Sequence, residues 1–419
     1  MADIFERLIK NYGPLGEHRE RSHGYYTFPK LEGELGNRMK FRGKEMVVWS
    51  LNNYLGLANH DEVRKADADA AAAFGLAYPM GARMMSGNSN QHEQLEKELA
   101  EFEMKEDAIL LNYGYQGIMS AIDALCGRHD VIVYDAESHA CIIDGLRLHT
   151  GHRYVYRHND IEDCEKQLQR ATALIEKQKQ GGILIITEGV FGMAGDQGKL
   201  KEICALKDKY EFRLLVDDAH GFGTLGKTGA GAGEEQNCQD DIDLYFSTFA
   251  KSMASIGAFI AGPHTIIDFI RYNIRSQIFA KSLPMPFVIG NLKRLEMLRS
   301  MPELKERLWK NALQLQNGLK ERGFDIGQTD SVVTPVYMKG GVPEASAMVT
   351  DLRENYNIFC SIVVYPVIPK GHIIYRLIPT AAHTSEDIIA TLDAFSETKE
   401  KLDAGAYKVE EIVHMGEAR

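Results

Sequence analysis

From Met46 onward short apolar runs alternate with polar, periodic segments, and this alternation constrains the fold more than any other feature of the chain. Ala108-Ile-Leu-Leu, Val131-Ile-Val-Tyr, Gly182-Ile-Leu-Ile-Ile, Phe212-Arg-Leu-Leu-Val and Leu244-Tyr-Phe each follow a stretch of helical spacing, such as Gln91 to Met104 or Ile161 to Lys179. Continuous apolar runs suit strands covered on both faces, so the pattern predicts an α/β fold with a mainly parallel central sheet. After about Pro286 the pattern changes. A long helical stretch through Met301 to Gly323 precedes Val332-Val-Thr-Pro-Val-Tyr, Ile358-Phe-Cys-Ser-Ile-Val-Val and Ile373-Ile-Tyr-Arg-Leu-Ile, with a last helix from Ser385 to about Leu402. The expected organisation is an N-terminal arm over 1–45 that wraps another part of the assembly, a large domain over 46–290, and a small C-terminal α+β domain with a polar tail over 291–419. At 419 residues the chain exceeds one ordinary core, and 44% hydrophobic content is ample for a globular protein.

In open α/β sheets ligands sit beyond the carboxyl ends of the strands, which directs attention to the residues just after each run. Arg213-Leu-Leu-Val-Asp-Asp-Ala-His220 ends a buried strand in Asp217 and His220, and Phe246-Ser-Thr-Phe-Ala-Lys-Ser252 presents a single lysine, Lys251, after a second apolar strand. A lysine that forms a Schiff base, with a carboxylate that keeps a pyridine nitrogen protonated, is the minimum set for pyridoxal phosphate (PLP) chemistry. Alone, each has a plainer explanation, a helix-cap aspartate and a solvated lysine.

Gly221-Phe-Gly-Thr-Leu-Gly-Lys-Thr228 matches the nucleotide-hydrolase phosphate loop in spacing. That loop hands directly to a helix, whereas Gly229-Ala-Gly-Ala-Gly follows here and resists helix formation by about 1 kcal/mol per glycine. Asn112-Tyr-Gly-Tyr-Gln-Gly117 follows a strand and opens a helix, so its backbone N–H groups suit a phosphate, although glycine-rich turns also arise for steric reasons. His139 lies past another strand end, where it either makes a structural hydrogen bond or stacks on a cofactor ring. Arg376 sits inside an apolar strand and needs an anion, either a substrate carboxylate or an internal acid.

The formal net charge of −11 argues against nucleic-acid or anionic-membrane binding. Six scattered cysteines without CxxC spacing suit free thiols in a reducing cytoplasm, and nothing suggests a metal site. The N-terminus is charged and amphipathic, and no run approaches the ~20 apolar residues of a membrane span.

Asn52-Asn-Tyr-Leu-Gly-Leu, Asp135-Ala-Glu-Ser-His-Ala, Ile143-Asp-Gly, Glu188-Gly-Val-Phe, Val216-Asp-Asp-Ala-His, Ser247-Thr-Phe-Ala-Lys-Ser, Ala254-Ser-Ile-Gly and Tyr365-Pro-Val-Ile-Pro-Lys-Gly occur in order. This series resembles the α-oxoamine synthases, which include serine palmitoyltransferases and glycine C-acetyltransferases. The resemblance implies a fold-type I homodimer with shared active sites. It also implies condensation of an amino acid with a CoA or acyl-carrier thioester. By the same resemblance Lys251 forms the Schiff base and acts as base, Asp217 pairs with the pyridinium nitrogen, His139 stacks on the ring and His220 reaches the ring hydroxyl. Gly114, Tyr115 and Thr248 hold the phosphate, Glu188 belongs to the cofactor site, and Asn52 and Arg376 orient the substrate carboxylate.

Four places depart from the family pattern. Gly192 and Ala194 stand where relatives usually carry Ser and Asp, Ala250 replaces a frequent Ser, and Cys141 replaces the usual Ser. At Phe279-Ala-Lys-Ser282, Ala280 stands where relatives use a Ser to reach the phosphate across the dimer, leaving Ser282 or Lys281 as the substitute. Lys281 also suits a sulfonate. The expected reaction is decarboxylating transfer of a long-chain acyl group to serine or cysteate, giving a sphingoid-type base. Phe249 to Gly257 favours it, as do the Met-rich segments near Tyr78 and Met84, which either line an acyl channel or pack a core. Tyr365 to Gly371 and Ala381-Ala-His-Thr384 favour glycine acetyl transfer instead. A catalytically inactive binding protein is the alternative of a different class.

Overall fold

The computed structural model describes residues 3–9, 18–365, 367–368, 371–409, 411–412 and 415. Three short strands open the chain: β1 (Leu31–Glu32), β2 (Arg38–Phe41) and β3 (Lys44–Val48). Seven follow: β4 (Asp107–Leu111), β5 (Val131–Asp135), β6 (His152–Tyr156), β7 (Ile183–Glu188), β8 (Arg213–Asp217), β9 (Leu244–Thr248) and β10 (Ala258–Gly262). Four more close the set: β11 (Thr334–Tyr337), β12 (Ile358–Phe359), β13 (Ser361–Val363) and β14 (Ile374–Leu377). The chain forms two compact units. The large unit comprises 52–192 and 196–306; the small unit comprises 1–51, 193–195 and 307–419.

The large unit holds the predicted sheet, in the order β4-β10-β9-β8-β7-β5-β6. From β9 to β6 every pairing is parallel, while β10 runs antiparallel to both β9 and β4. Residues 249–257, which join β9 to β10, are too few for the crossover that a parallel pair requires. Strands β7, β9 and β10 are buried at every position, which is why they read as unbroken apolar runs. Ile109, Ile132, Ile186, Leu215, Phe246 and Ile260 join across the sheet in one core with Ile118 and Ile122 of the helix Gly114–Leu125.

Among the described residues four helices of this unit begin with side-chain caps: His60 on the Glu62 N–H, Ser89 on the His92 N–H, His139 on the Cys141 N–H and Asp160 on the Asp163 N–H. Gly114–Leu125 has no such cap, and its first N–H groups face outward from the end of β4.

The small unit holds two sheets, β1-β2-β3-β12 and the antiparallel β11-β14-β13. Trp49, Leu315, Val349, Ile358, Tyr375 and Phe395 fill its core. The expected boundaries shift accordingly. Strand β3, placed partly in the arm and partly in the large domain, pairs with β12 and so belongs to the small unit. Position 290 falls inside the helix Met285–Ser300, whose buried Arg294 forms two 2.8 Å contacts with Asp67 in the large unit. That unit therefore continues to Glu306. No described helix is long and apolar enough to cross a membrane.

Candidate active site

The parallel register aligns the carboxyl ends of β5, β7, β8 and β9, and most of the predicted residues stand at that edge. Glu188 and Asp217 are direct partners across β7 and β8, and Asp217 is level with Phe246 of β9. Lys251 lies in the turn after β9. Its carbonyl accepts from Ala254 N–H at 2.9 Å, and Phe249 N–H donates to Gly257 at the base of the same loop. The Lys251 ammonium acts electrostatically on Asp217, Glu188, His139 and Cys141 at once. Burial pushes Asp217 up to about 6 although that ammonium and the Ala219 N–H at 3.2 Å favour its charged form. Burial, and then the charge of Asp217, raise Glu188 well above the usual carboxylate range.

His139 caps the helix Ala140–Leu148, and its own N–H donates to Glu188 at 2.5 Å. The Cys141 N–H donates to its Nδ1 at 3.3 Å, and the Cys141 thiol lies 2.9 Å from the same nitrogen. Nδ1 is thus the acceptor, which leaves the ring proton on Nε2. Desolvation and the Lys251 charge hold His139 below its ordinary value, consistent with a neutral ring. Cys141 also reaches Asp217, at 3.9 Å, so one thiol touches both the histidine and the carboxylate. The sequence marked Cys141 only as a departure; its place two residues after a capping histidine is the signal that could have assigned it.

His220 is buried, and its Nδ1 lies 2.7 Å from the Tyr54 hydroxyl. A Cβ on Gly192 would stand 2.2 Å from its Nε2, so the ring occupies space that only glycine leaves. Tyr54 carried no expected role, although it lies within the Asn52 to Leu57 motif. Asn52 has a buried side-chain oxygen with no hydrogen-bond partner.

At the uncapped start of Gly114–Leu125, Gly114 lies so close to Thr248 that a Cβ would meet its side chain at 3.0 Å. Tyr115 donates to Asp144, and its ring is edge-on to His139 at 6.2 Å. The uncapped N–H groups and the missing side chain form a cradle suited to a phosphate, with the Thr248 hydroxyl beside it donating to the Gly257 carbonyl at 3.0 Å. Together with Lys251, Asp217 and the accessible His139 ring, these residues fit PLP.

The remaining predicted residues make contacts of their own. The hydroxyl and N–H of Ser282 both donate to the Gly81 carbonyl at 3.0 Å. Lys281 is exposed, with its carbonyl held by the Asn112 side chain. Arg376 lies in the small unit on β14, lining a cavity of about 270 Å³ with Ser50, Met193 and Tyr365. In the Tyr365 to Gly371 motif, Pro366, Pro369 and Lys370 lie outside the described residues. His383, from the segment that favoured acetyl transfer, is buried and stacks on Trp49 at 4.0 Å, a packing role.

Gly221 to Thr228 does not lead into a phosphate-facing helix. The Thr228 N–H and hydroxyl and the Ala230 N–H bind the Glu234 carboxylate, and the Gly226 N–H binds Glu235. The chain's own acids thus occupy the donors that a nucleotide would need.

The family model described as aminotransferase class I and II matches residues 44–395. A cysteate-C-fatty acyltransferase from Capnocytophaga ochracea is 64% identical over 408 residues, covering 97% of this chain and 97% of that one. An 8-amino-7-oxononanoate synthase from Thermoanaerobacter pseudethanolicus is 36% identical over 388 residues, 92% of this chain and 96% of that one. Among solved structures, a serine palmitoyltransferase from S. paucimobilis with a bound adduct of PLP and myriocin matches at a TM-score of 0.84 and 30% identity. That match covers 90% of this chain and 93% of that chain. The matched residues include every strand end that carries Lys251, Asp217 and His139, and the chain therefore belongs to the class I and II aminotransferase family, among its α-oxoamine synthases, as a PLP-dependent C-acyltransferase.

Proposed function

We propose that the chain joins a long-chain fatty acyl thioester to cysteate, releasing carbon dioxide and the free thiol, to give a sulfonate-bearing amino ketone of the sphingoid type. The observation that carries this is the 64% identity, over nearly the whole of both chains, to a protein named for cysteate and fatty acyl transfer. Lys281 supports it as an exposed cation whose backbone is tied to the loop before the phosphate cradle, since a sulfonate requires a cationic partner.

When bound, the cofactor supplies an electron sink for the carbanion at the amino-acid Cα. Gly114, Tyr115 and Thr248 would receive its phosphate. Asp217 would keep its ring nitrogen protonated, with Glu188 beside it, and the cation would relieve the repulsion between these two buried acids. His139 would lie on the ring with its orientation fixed by Cys141, and His220 would reach the ring hydroxyl while Tyr54 holds its other nitrogen. Lys251 would anchor the cofactor covalently and then take the proton from Cα. Asn52, with its unpartnered oxygen, would face the amino-acid substrate.

The six cysteines are free, which supports a reducing cytoplasm. Exposed Leu76, Met80, Met85 and Phe279 on the large unit support a second copy as its partner in a homodimer.

The test is thiol release from palmitoyl-CoA by PLP-loaded protein with cysteate, serine or glycine, the product identified by mass. Cysteate is expected to give the highest kcat/KM. Faster turnover of serine, or of glycine with acetyl-CoA, would replace the proposal with the corresponding transferase.

A further inference from the structure

Two loops of the large unit that carry site residues are pinned by one histidine that no site motif contains. Asp135 ends β5. Its Oδ1 accepts from the Glu137 N–H at 2.8 Å, turning the chain toward His139, and its Oδ2 accepts from the Asn159 N–H at 2.9 Å. After β7, Val190 and Gln197 form an antiparallel bridge, Phe191 N–H donates to the Asp196 carbonyl and Gly198 N–H to the Gly189 carbonyl. The result is a hairpin stem whose outgoing arm carries Gly192. The chain leaves the large unit after Gly192 and re-enters it at Asp196, and the stem, with the Gly189 N–H on the Asp217 carbonyl at 2.9 Å, holds this arm within the unit.

His158 lies between these loops. Its Nδ1 is 2.8 Å from Asp135 and its Nε2 is 2.8 Å from Asp196, with Glu137 at 4.0 Å and the Phe191 ring edge-on at 4.4 Å. The next residue repeats the link, because the Asn159 side chain donates to Asp196 at 2.7 Å and to the Gln197 carbonyl at 3.0 Å. With a carboxylate on each nitrogen, both ring nitrogens must donate, which requires the imidazolium. The pair of acids outweighs the cost of burial and holds this ring at about 10, so it stays charged through neutral pH.

We propose that His158 is a positioning residue: it clamps the turn that presents His139 to the hairpin stem that presents Gly192, and so sets the ring of His139 and the space taken by His220. The proposal rests on the assignment of these residues to the PLP site. Glutamine can satisfy one of the two carboxylates but not both, whereas Asp196→Asn leaves the Asp135 contact whole and reduces the other to a neutral hydrogen bond.

The clamp can be read without cofactor. In PLP-free protein, His158→Gln is expected to speed amide exchange at residues 137–139 and 196–198 at least tenfold while β7 and β8 keep their protection. Asp196→Asn should reproduce this in part. In reconstituted protein both variants should bind PLP about tenfold more weakly, with the acyl-thioester KM unchanged, and the double variant should be no worse than His158→Gln. Unchanged exchange at 137–139, or a rise spread evenly over the sheet, would overturn the clamp. Should Asp196→Asn alone fold, its exchange pattern decides by the same criterion. If exchange changes locally and neither wild type nor variants bind PLP, the clamp stands and the cofactor assignment fails.

Discussion

Glu188 and Asp217 are register partners on adjacent parallel strands, two buried carboxyl groups that face a single ammonium, Lys251. Two acids with one cation leave an excess of buried negative charge, and the cheapest remedy in the cofactor-free protein is a proton. A protonated pyridine ring held by Asp217, as proposed, would supply a second cation at the same place. The site is thus arranged to favour the cationic form of the group it binds.

That arrangement gives the PLP-free protein an inverted pH response. Asp217 is raised from 3.8 to about 6, so folding binds a proton that the unfolded chain releases. The associated stability is complete below pH 4 and is lost as pH rises through 6, amounting to about 3 kcal/mol. The Asp217 contribution should lower the melting temperature of PLP-free protein between pH 4.5 and 7.5, against the opposite contribution of His92 and His383, which burial holds at about 4. Asp217→Asn should flatten the fall without abolishing it, because burial raises Asp218 to about 6 as well. Parallel melting curves for the two proteins would contradict the assignment of this proton.

Cys141 should act through its hydrogen-bonding atom rather than its nucleophilicity. Burial pushes its thiol far up, so it is not a thiolate at neutral pH. Cys141→Ser keeps a donor for His139 Nδ1 and should leave PLP affinity within about threefold, since the net difference between comparable hydrogen bonds is under 1 kcal/mol. Cys141→Ala leaves only the backbone N–H on that nitrogen, and affinity should fall by about fivefold. Absorbance titration of both variants with PLP measures the difference.

Glu234 should matter for stability and not for chemistry. Its carboxylate receives two backbone N–H groups and one hydroxyl from Thr228 and Ala230. Glu234→Ala strands those donors and should cost about 2 kcal/mol, read as a lower urea midpoint with kcat preserved. Added ATP or GTP should not restore the midpoint. Restoration would show that the loop accepts a nucleotide phosphate in place of its own acid.

The legible parts of this protein are those governed by local periodicity. Strands β7 to β9 could be read because burial on both faces demands unbroken apolar residues, and their carboxyl ends then directed attention to Glu188, Asp217 and Lys251. The contacts that complete the site arise from tertiary pairing, which leaves no spacing in the sequence. Tyr54 meets His220 across 166 positions, and Ser282 bonds to Gly81 across 201. Strand β3 pairs with β12, which lies near the far end of the chain, so no local spacing announces that contact. His158 follows β6, a mostly exposed strand whose His-Arg-Tyr-Val-Tyr sequence forms no apolar run, so nothing in the spacing marks it.

Gly192 supplies a test of whether His220 is held from both sides. A Cβ at this position would stand 2.2 Å from His220 Nε2, and the opposite nitrogen is tied to Tyr54 at 2.7 Å. Gly192→Ala must therefore push the ring toward Tyr54 or turn it away, and either movement spoils that hydrogen bond. Its loss is worth about 1 kcal/mol, or roughly fivefold in PLP affinity. Tyr54→Phe removes the same bond without touching the glycine. If both changes act through one ring position, Gly192→Ala should cost clearly less in the Tyr54→Phe background than in wild type, a coupling of at least about 0.5 kcal/mol. Strict additivity of the two affinities would mean that Gly192 acts on some other feature of the hairpin, and that the glycine is not what sets the place of His220.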